Sequence, residues 1–128
     1  MTIPNSVITI GKYAFAGSFV SVIVEESTLT IGSSVTTIGD NAFNGCSGFK
    51  GLTIENDSEM VEIAKGAFEG CSALTGALTI PNKVIMIGER AFYGCSNIDG
   101  LAIGTSVTTI GSYAFYNCSK LTNTLDIP

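Results

Sequence analysis

Residues 29–47 read LTIGSSVTTIGDNAFNGCS, and the same phrase returns along the chain with small changes. Its most constant element is an Ala-Phe pair, found at Ala14-Phe15, Ala42-Phe43, Ala67-Phe68, Ala91-Phe92 and Ala114-Phe115, spaced 28, 25, 24 and 23 residues apart. Four of the five pairs are followed by Cys-Ser, at Cys46-Ser47, Cys71-Ser72, Cys95-Ser96 and Cys118-Ser119. A period of this length means one small unit stacked on copies of itself. It also argues against an enzyme, because catalysis needs an irregular constellation and nearly every notable residue recurs in register.

Each unit opens on a short alternation: Leu29-Thr30-Ile31, Leu52-Thr53-Ile54, Leu78-Thr79-Ile80, Leu101-Ala102-Ile103 and finally Leu125-Asp126-Ile127. Period two with β-branched residues is a half-buried strand, Leu and Ile facing inward and the central residue outward. Pro4, Gly32, Glu55, Pro81, Gly104 or Pro128 then ends the strand. After a polar turn comes V-x-x-I-G-x-x-A-F, as in Val35 to Phe43, Val84 to Phe92 and Val107 to Phe115. Gly11, Gly39, Gly88 and Gly111 suit a bend with unusual backbone angles. Ala64 in the third unit weighs against a strongly positive φ there. No stretch has the length and periodicity of a firm helix. The expected fold is a β-rich repeat solenoid with little or no α-helix, in which equivalent strands, one per coil, pair in parallel ~4.8 Å apart over buried columns of Leu, Ile, Val and Phe. One domain, 1–128, is expected, with units at 1–28, 29–51, 52–77, 78–100 and 101–124 and a partial unit at 125–128.

Composition narrows the function. Hydrophobic residues make up 45% and charged residues 13%, so Thr, Ser, Asn and Gly must carry the surface. A net charge of −5 with only six Lys and Arg speaks against nucleic acid and against docking on anionic membranes. No apolar run is long enough to span a bilayer. The start, Met1-Thr2-Ile3-Pro4, has no basic region or signal-peptide core and begins inside a repeat unit, which suggests truncation from a longer array.

The phrase L-T-I-P-N-S-V-T-T-I-G-x-x-A-F-x-G-C-S-x-L resembles the BspA-like leucine-rich repeat, also called the Treponema-type repeat, over nearly the whole chain. The resemblance implies a leucine-rich-repeat right-handed superhelix with a concave parallel sheet. It also implies long arrays in surface-exposed or secreted proteins of mucosal bacteria and some protists, and adhesion to host or partner proteins. Two units depart from the pattern. The segment 19–28 is long and its register is open, since Val22-Ile23-Val24 also reads as a strand. The third unit has two extra residues within Glu55-Asn56-Asp57-Ser58-Glu59, placed in a bulged loop.

Four cysteines and no histidine invite a metal or disulfide reading, yet the repeat puts Cys46, Cys71, Cys95 and Cys118 in one column. Collinear ligands cannot surround a metal tetrahedrally, and in-register Cβ atoms ~5 Å apart exceed the ~3.5–4.5 Å a disulfide prefers. Buried reduced thiols are expected, bonded weakly to backbone at the bend, with Ser18 in the first unit's slot. The alternatives are an occasional disulfide and a metal site. The recurring Phe residues read as a stacked core rather than a binding platform. The acidic stretch with Glu62 reads as a solvated loop, with Ca²⁺ the alternative. Asn56-Asp57-Ser58 and Asn117-Cys118-Ser119 match the glycosylation pattern at chance level. Neither a Ser-His-Asp set nor a phosphate-cradling Gly loop is present, and no cofactor is implied.

What does not recur is the better guide to function. Tyr13, Tyr93, Tyr113 and Tyr116 fall at varying positions beside Ala-Phe and are candidate binding anchors, with Ile85 and Met86 as candidates to join them in an apolar patch; edge packing is the alternative. Thr30, Thr53, Thr79 and Ala102 line the outward strand face, flanked by small residues, and complete the candidate surface. The two ends lack a polar capping repeat, so end-to-end homo-oligomerisation is expected. The expected function is a non-enzymatic protein-binding or adhesion module of a bacterial cell-surface or secreted protein. Its partner would be a host extracellular-matrix or cell-surface protein, or a neighbouring surface protein, without nucleic acid or membrane insertion. The alternative is a structural spacer with no ligand of its own.

Overall fold

The computed structural model describes residues 1–20, 27–55 and 57–121. The alternative strand at Val22-Ile23-Val24 and the closing strand at 125–127 lie outside them. Each coil contributes two short strands: β1 (Thr2–Ile3) and β2 (Thr9–Ile10), β3 (Thr28–Ile31) and β4 (Thr37–Ile38), β5 (Gly51–Ile54) and β6 (Glu62–Ile63), β7 (Gly76–Ile80) and β8 (Met86–Ile87), β9 (Ile98–Ile103) and β10 (Thr109–Ile110). No α-helix occurs among the described residues.

The odd-numbered strands are the predicted Leu-x-Ile ladder. They pair in parallel, with Thr2 opposite Thr30, Thr30 opposite Thr53 and Thr79 opposite Ala102. The even-numbered strands form a second parallel ladder, in which Ile10, Ile38, Ile63, Ile87 and Ile110 stand in register. Sequence reading missed this ladder because two residues per strand are too few to show a period. It runs unbroken in the order β10-β8-β6-β4-β2, whereas the first ladder divides into β1-β3-β5 and β7-β9.

The bend between the ladders is zipped as tightly as either. Phe15, Phe43, Phe68 and Phe92 each donate their N–H to the Ala carbonyl of the following coil at 2.7–2.8 Å. That spacing stacks the five Phe rings, centroids 5.2, 5.3, 5.2 and 5.4 Å apart and planes within 13°. Phe43, Phe68 and Phe92 are fully buried among Ile31, Ile38, Ile63, Ile80 and Ile87. Burying one such side chain contributes about 1.5–3 kcal/mol, and an aromatic contact about 0.5–1.5 kcal/mol more. The Phe column is therefore core. Met60 fills the third coil's place for Val35 and Val84, which the V-x-x-I pattern does not reveal.

The bend glycines act otherwise than expected. Gly39, Gly88 and Gly111 lie outside the left-handed region; what excludes a side chain there is the preceding coil, since a Cβ would sit 2.8, 2.5 and 2.3 Å from its nearest main-chain nitrogen. Gly11, in the first coil, has open space at that point. Where Ala64 stands instead, its N–H reaches Ile38 O at 3.0 Å, against 2.8 Å and 2.7 Å for the bonds of Gly39 and Gly88, so the coils part slightly to admit the methyl.

Left-handed glycines stand at the position before the Cys column, Gly17, Gly45, Gly70 and Gly94, with φ between 70° and 75°, and also at Gly66 and Gly76. Asn117 takes the same conformation in the last coil, at φ 61°. A Cβ on Gly94 would come no closer than 3.8 Å to anything, so only conformation opposes a side chain. Gly94→Ala should therefore cost about 1–2 kcal/mol in urea unfolding, and Gly94→Asn clearly less. Equal losses for the two variants would contradict this account.

Candidate functional site

Main-chain geometry at the bend sorts the candidate tyrosines into two adjacent columns. One holds the residue before Ala-Phe: Tyr13, Asn41, Gly66, Arg90 and Tyr113, all left-handed, with φ from 56° to 63°. The other holds the residue after Phe: Ala16, Asn44, Glu69, Tyr93 and Tyr116. A bulky side chain in the left-handed region costs on the order of 1–2 kcal/mol relative to Gly. Gly66 and Asn41 show that cheaper residues fit the first column, yet Tyr13, Arg90 and Tyr113 occupy it.

Three of the four tyrosines converge. The rings of Tyr93 and Tyr116 stack at 5.4 Å, and Tyr113 meets Tyr116 edge-on at 5.4 Å. The Arg90 guanidinium lies 4.6 Å from the centre of the Tyr93 ring and 3.4 Å from the Glu69 carboxylate. Tyr113 and Tyr116 remain 59% and 52% exposed, so this cluster of aromatic rings and one cation faces solvent. Arg90 escaped sequence reading because Glu69 comes from the preceding coil and the approach to Tyr93 depends on the fold of the bend. Tyr13 is also exposed but belongs to the first coil, at the other end of the column. Ile85 and Met86 are exposed on the second ladder, where Ile85 bonds Val61 of the preceding coil.

The strand face is as flat as its composition implies. Thr53, Thr79 and Ala102 are exposed and Thr30 is half-buried, and they are joined in register by the ladder except between β5 and β7. The acidic stretch does not stay together. Glu59 pairs with Lys83 at 2.7 Å, Glu62 belongs to β6, and Ser58 turns inward, its Oγ accepting the Met60 N–H. Asn56, with its glycosylation pattern, lies outside the described residues. Asn117 is exposed, but Cys118 beside it is buried. Among the described residues no group of three or more His, Cys, Asp or Glu is placed to hold a metal ion.

The four thiols are free and buried. Each Sγ donates to the Phe carbonyl of the preceding coil: Cys46 to Phe15, Cys71 to Phe43, Cys95 to Phe68 and Cys118 to Phe92, at 3.1–3.2 Å. Burial pushes all four thiols upward, Cys71 to about 12, with the neighbouring thiol Cys46 adding to the rise. The column is packing and hydrogen bonding, held in the unreactive protonated form.

Stacked coils with a parallel strand ladder, a short connecting ladder and a Cys-lined bend define a leucine-rich-repeat solenoid. Residues 1–122 match the family model for the BspA type leucine rich repeat region in six copies, and the chain belongs to that family. Among solved structures it is similar to the leucine-rich repeat protein of T. pallidum, with 30% identity and a TM-score of 0.76 over 90% of this chain and 50% of that one. It is also similar to the pneumococcal vaccine antigen PcpA, with 26% identity and a TM-score of 0.74 over 91% of this chain and 31% of that one. A leucine-rich cell surface protein of Faecalibacterium prausnitzii shares the fold at 22% identity and a TM-score of 0.50, over 91% of this chain and 42% of that one. The chain thus spans half or less of each protein it matches. No curated protein matches it.

A thiol whose pKa is raised on folding stabilises the fold fully below its unfolded pKa, about 8.5, and loses that contribution as pH rises through the folded value. For Cys71 the window therefore closes near pH 12. The urea midpoint should fall between about pH 7 and about pH 11, and by a smaller amount in Cys71→Ala. An equal fall in both proteins would show that other groups cause it.

Proposed function

We propose that this chain is a non-enzymatic protein-binding segment of a cell-surface or secreted adhesion protein. It contacts its partner through the strand face of Thr30, Thr53, Thr79 and Ala102 and through Tyr13, Tyr93, Tyr113 and Tyr116. The observation that carries the reading is the cluster of Arg90, Tyr93, Tyr113 and Tyr116: Tyr113 and Tyr116 exposed, Arg90 and Tyr93 half-buried, and Arg90 and Tyr113 kept at positions where a bulky residue is conformationally costly. Tyr and Arg are the side chains that most often dominate protein interfaces. Membership of the BspA-type family, and likeness to a pneumococcal vaccine antigen, support a surface location. The net charge of −5 favours a protein partner over nucleic acid. Host matrix and epithelial surface proteins, and neighbouring surface proteins, are the partners to test.

A binding array of such proteins should return at least one specific ligand. Tyr93→Ala and Tyr113→Ala should each weaken that ligand about tenfold, as loss of an interfacial anchor does. Full affinity in both variants sinks the tyrosine part of the reading, and silence across the whole array favours a spacer. The half-buried Phe15 and Phe115 at the two ends of the ring stack also support end-to-end association of the 128-residue chain, which would appear as concentration-dependent light scattering.

A further inference from the structure

Among the described residues the first strand ladder is broken once. No hydrogen bond joins β5 to β7, although β3 pairs with β5 and β7 with β9. The same two coils are fully zipped elsewhere: β6 pairs with β8, the Phe68 and Phe92 rings stack at 5.2 Å, and Thr75 N–H reaches Lys50 O at 2.9 Å. The coils therefore part only on the strand face, leaving a cleft of about 200 Å³ lined by Leu52, Thr53, Glu55, Ala77 and Thr79. It adjoins a groove of about 380 Å³ that shares Glu55 and adds Asp57. The break coincides with two irregularities: the extra residues between the end of β5 and the start of β6, and a register shift between Gly76 and Ala77 at the start of β7.

Two strand edges face each other across this cleft, so their main-chain carbonyls and amides lack ladder partners there. Leu52, half-buried where Leu29 and Leu78 are 2% and 4% exposed, gives the cleft an apolar floor. Thr53 and Thr79 supply hydroxyls on the two walls. Glu55 is exposed at the rim, and among the described residues it has no ion pair, unlike Glu59, Glu69 and Glu89.

We propose that the cleft between β5 and β7 seats an arginine side chain presented by an extended segment of a partner protein. The proposal rests on the reading of the chain as a binding module and names what one part of its strand face takes. A guanidinium is flat and carries five donors in a fixed fork. In the cleft it meets carbonyls from both open edges, two hydroxyls and a carboxylate, while its methylenes lie on Leu52 and Ala77. An ammonium offers a compact point charge that fits a slot lined by spread acceptors less well, and an acidic side chain is repelled by Glu55.

The test uses N-acetyl-arginine amide as the probe, N-acetyl-citrulline amide as its neutral isostere, and amide chemical shifts of the whole chain as the readout. Saturable shifts should centre on Thr53, Ala77 and Thr79 with an affinity in the millimolar range, as for a single small group. Citrulline, and arginine added to Glu55→Gln, should each bind at least about fivefold more weakly. Ala77→Leu fills the cleft from an exposed position and should abolish the shifts while leaving the rest of the spectrum intact. Equal shifts with citrulline, unchanged binding in Glu55→Gln, shifts scattered over the other carboxylates, or no shifts would each overturn the proposal. Tyr93→Ala and Tyr113→Ala should leave the arginine shifts unchanged. Arginine binding in the cleft beside a silent protein array would count against the binding module alone, and the reverse result against the cleft alone.

Discussion

Every column of side chains in this protein takes its spacing from main-chain hydrogen bonds between coils. Parallel strands fix that spacing at ~4.8 Å, and the bend follows it through the Phe-to-Ala bonds of 2.7–2.8 Å. Five Phe rings must then stack at 5.2–5.4 Å whether or not stacking is favourable on its own. Glycine at positions 39, 88 and 111 has the same cause, because the preceding coil's backbone occupies the place of a Cβ. A residue in one coil is thus chosen as much by its copy in the next as by its own surroundings.

The cysteine column shows how strongly this spacing directs chemistry. Side chains in register run parallel, so each thiol reaches the Phe carbonyl of the preceding coil rather than the next sulfur. That carbonyl already accepts an N–H from its own coil; Phe43 O, for example, takes Cys46 N at 3.1 Å and Cys71 Sγ at 3.2 Å. The small, weakly donating thiol supplies the second bond inside an apolar column without the desolvation cost of a stronger polar group. Ser18 suits the first coil, where the slot is only half-buried.

Periodicity made the scaffold legible. The Leu-x-Ile strands, the Phe core, the thiol column and the bulged third loop all follow from what recurs, or from where recurrence fails. The second ladder was hidden because two residues carry no period. Left-handed backbone before Ala-Phe was hidden because Tyr13, Arg90 and Tyr113 give no turn signal, and only Asn41 and Gly66 hint at it. The tyrosines were visible one by one, but their grouping was not. Placing Tyr93 against Tyr116, and Arg90 between Glu69 and Tyr93, requires the stagger of three coils.

Two kinds of irregularity remain, and the same constraint decides where each is allowed. Where the third and fourth coils carry their irregularities, the strand face opens and the bend stays intact. At the bend, opening would separate two buried Phe rings and break a thiol bond besides the main-chain bonds, which together outweigh the roughly 0.5–1.5 kcal/mol of each strand hydrogen bond. The strand face has little beyond those bonds to lose, since its outward side chains are Thr and Ala. Insertions therefore become clefts on the strand side. At the bend, only side chains that point to solvent can vary, and there the variation takes the form of tyrosines and an arginine. A tightly bonded bend and a strand face held mainly by its ladder bonds thus carry two different irregular features on one solenoid, an aromatic cluster and a polar cleft.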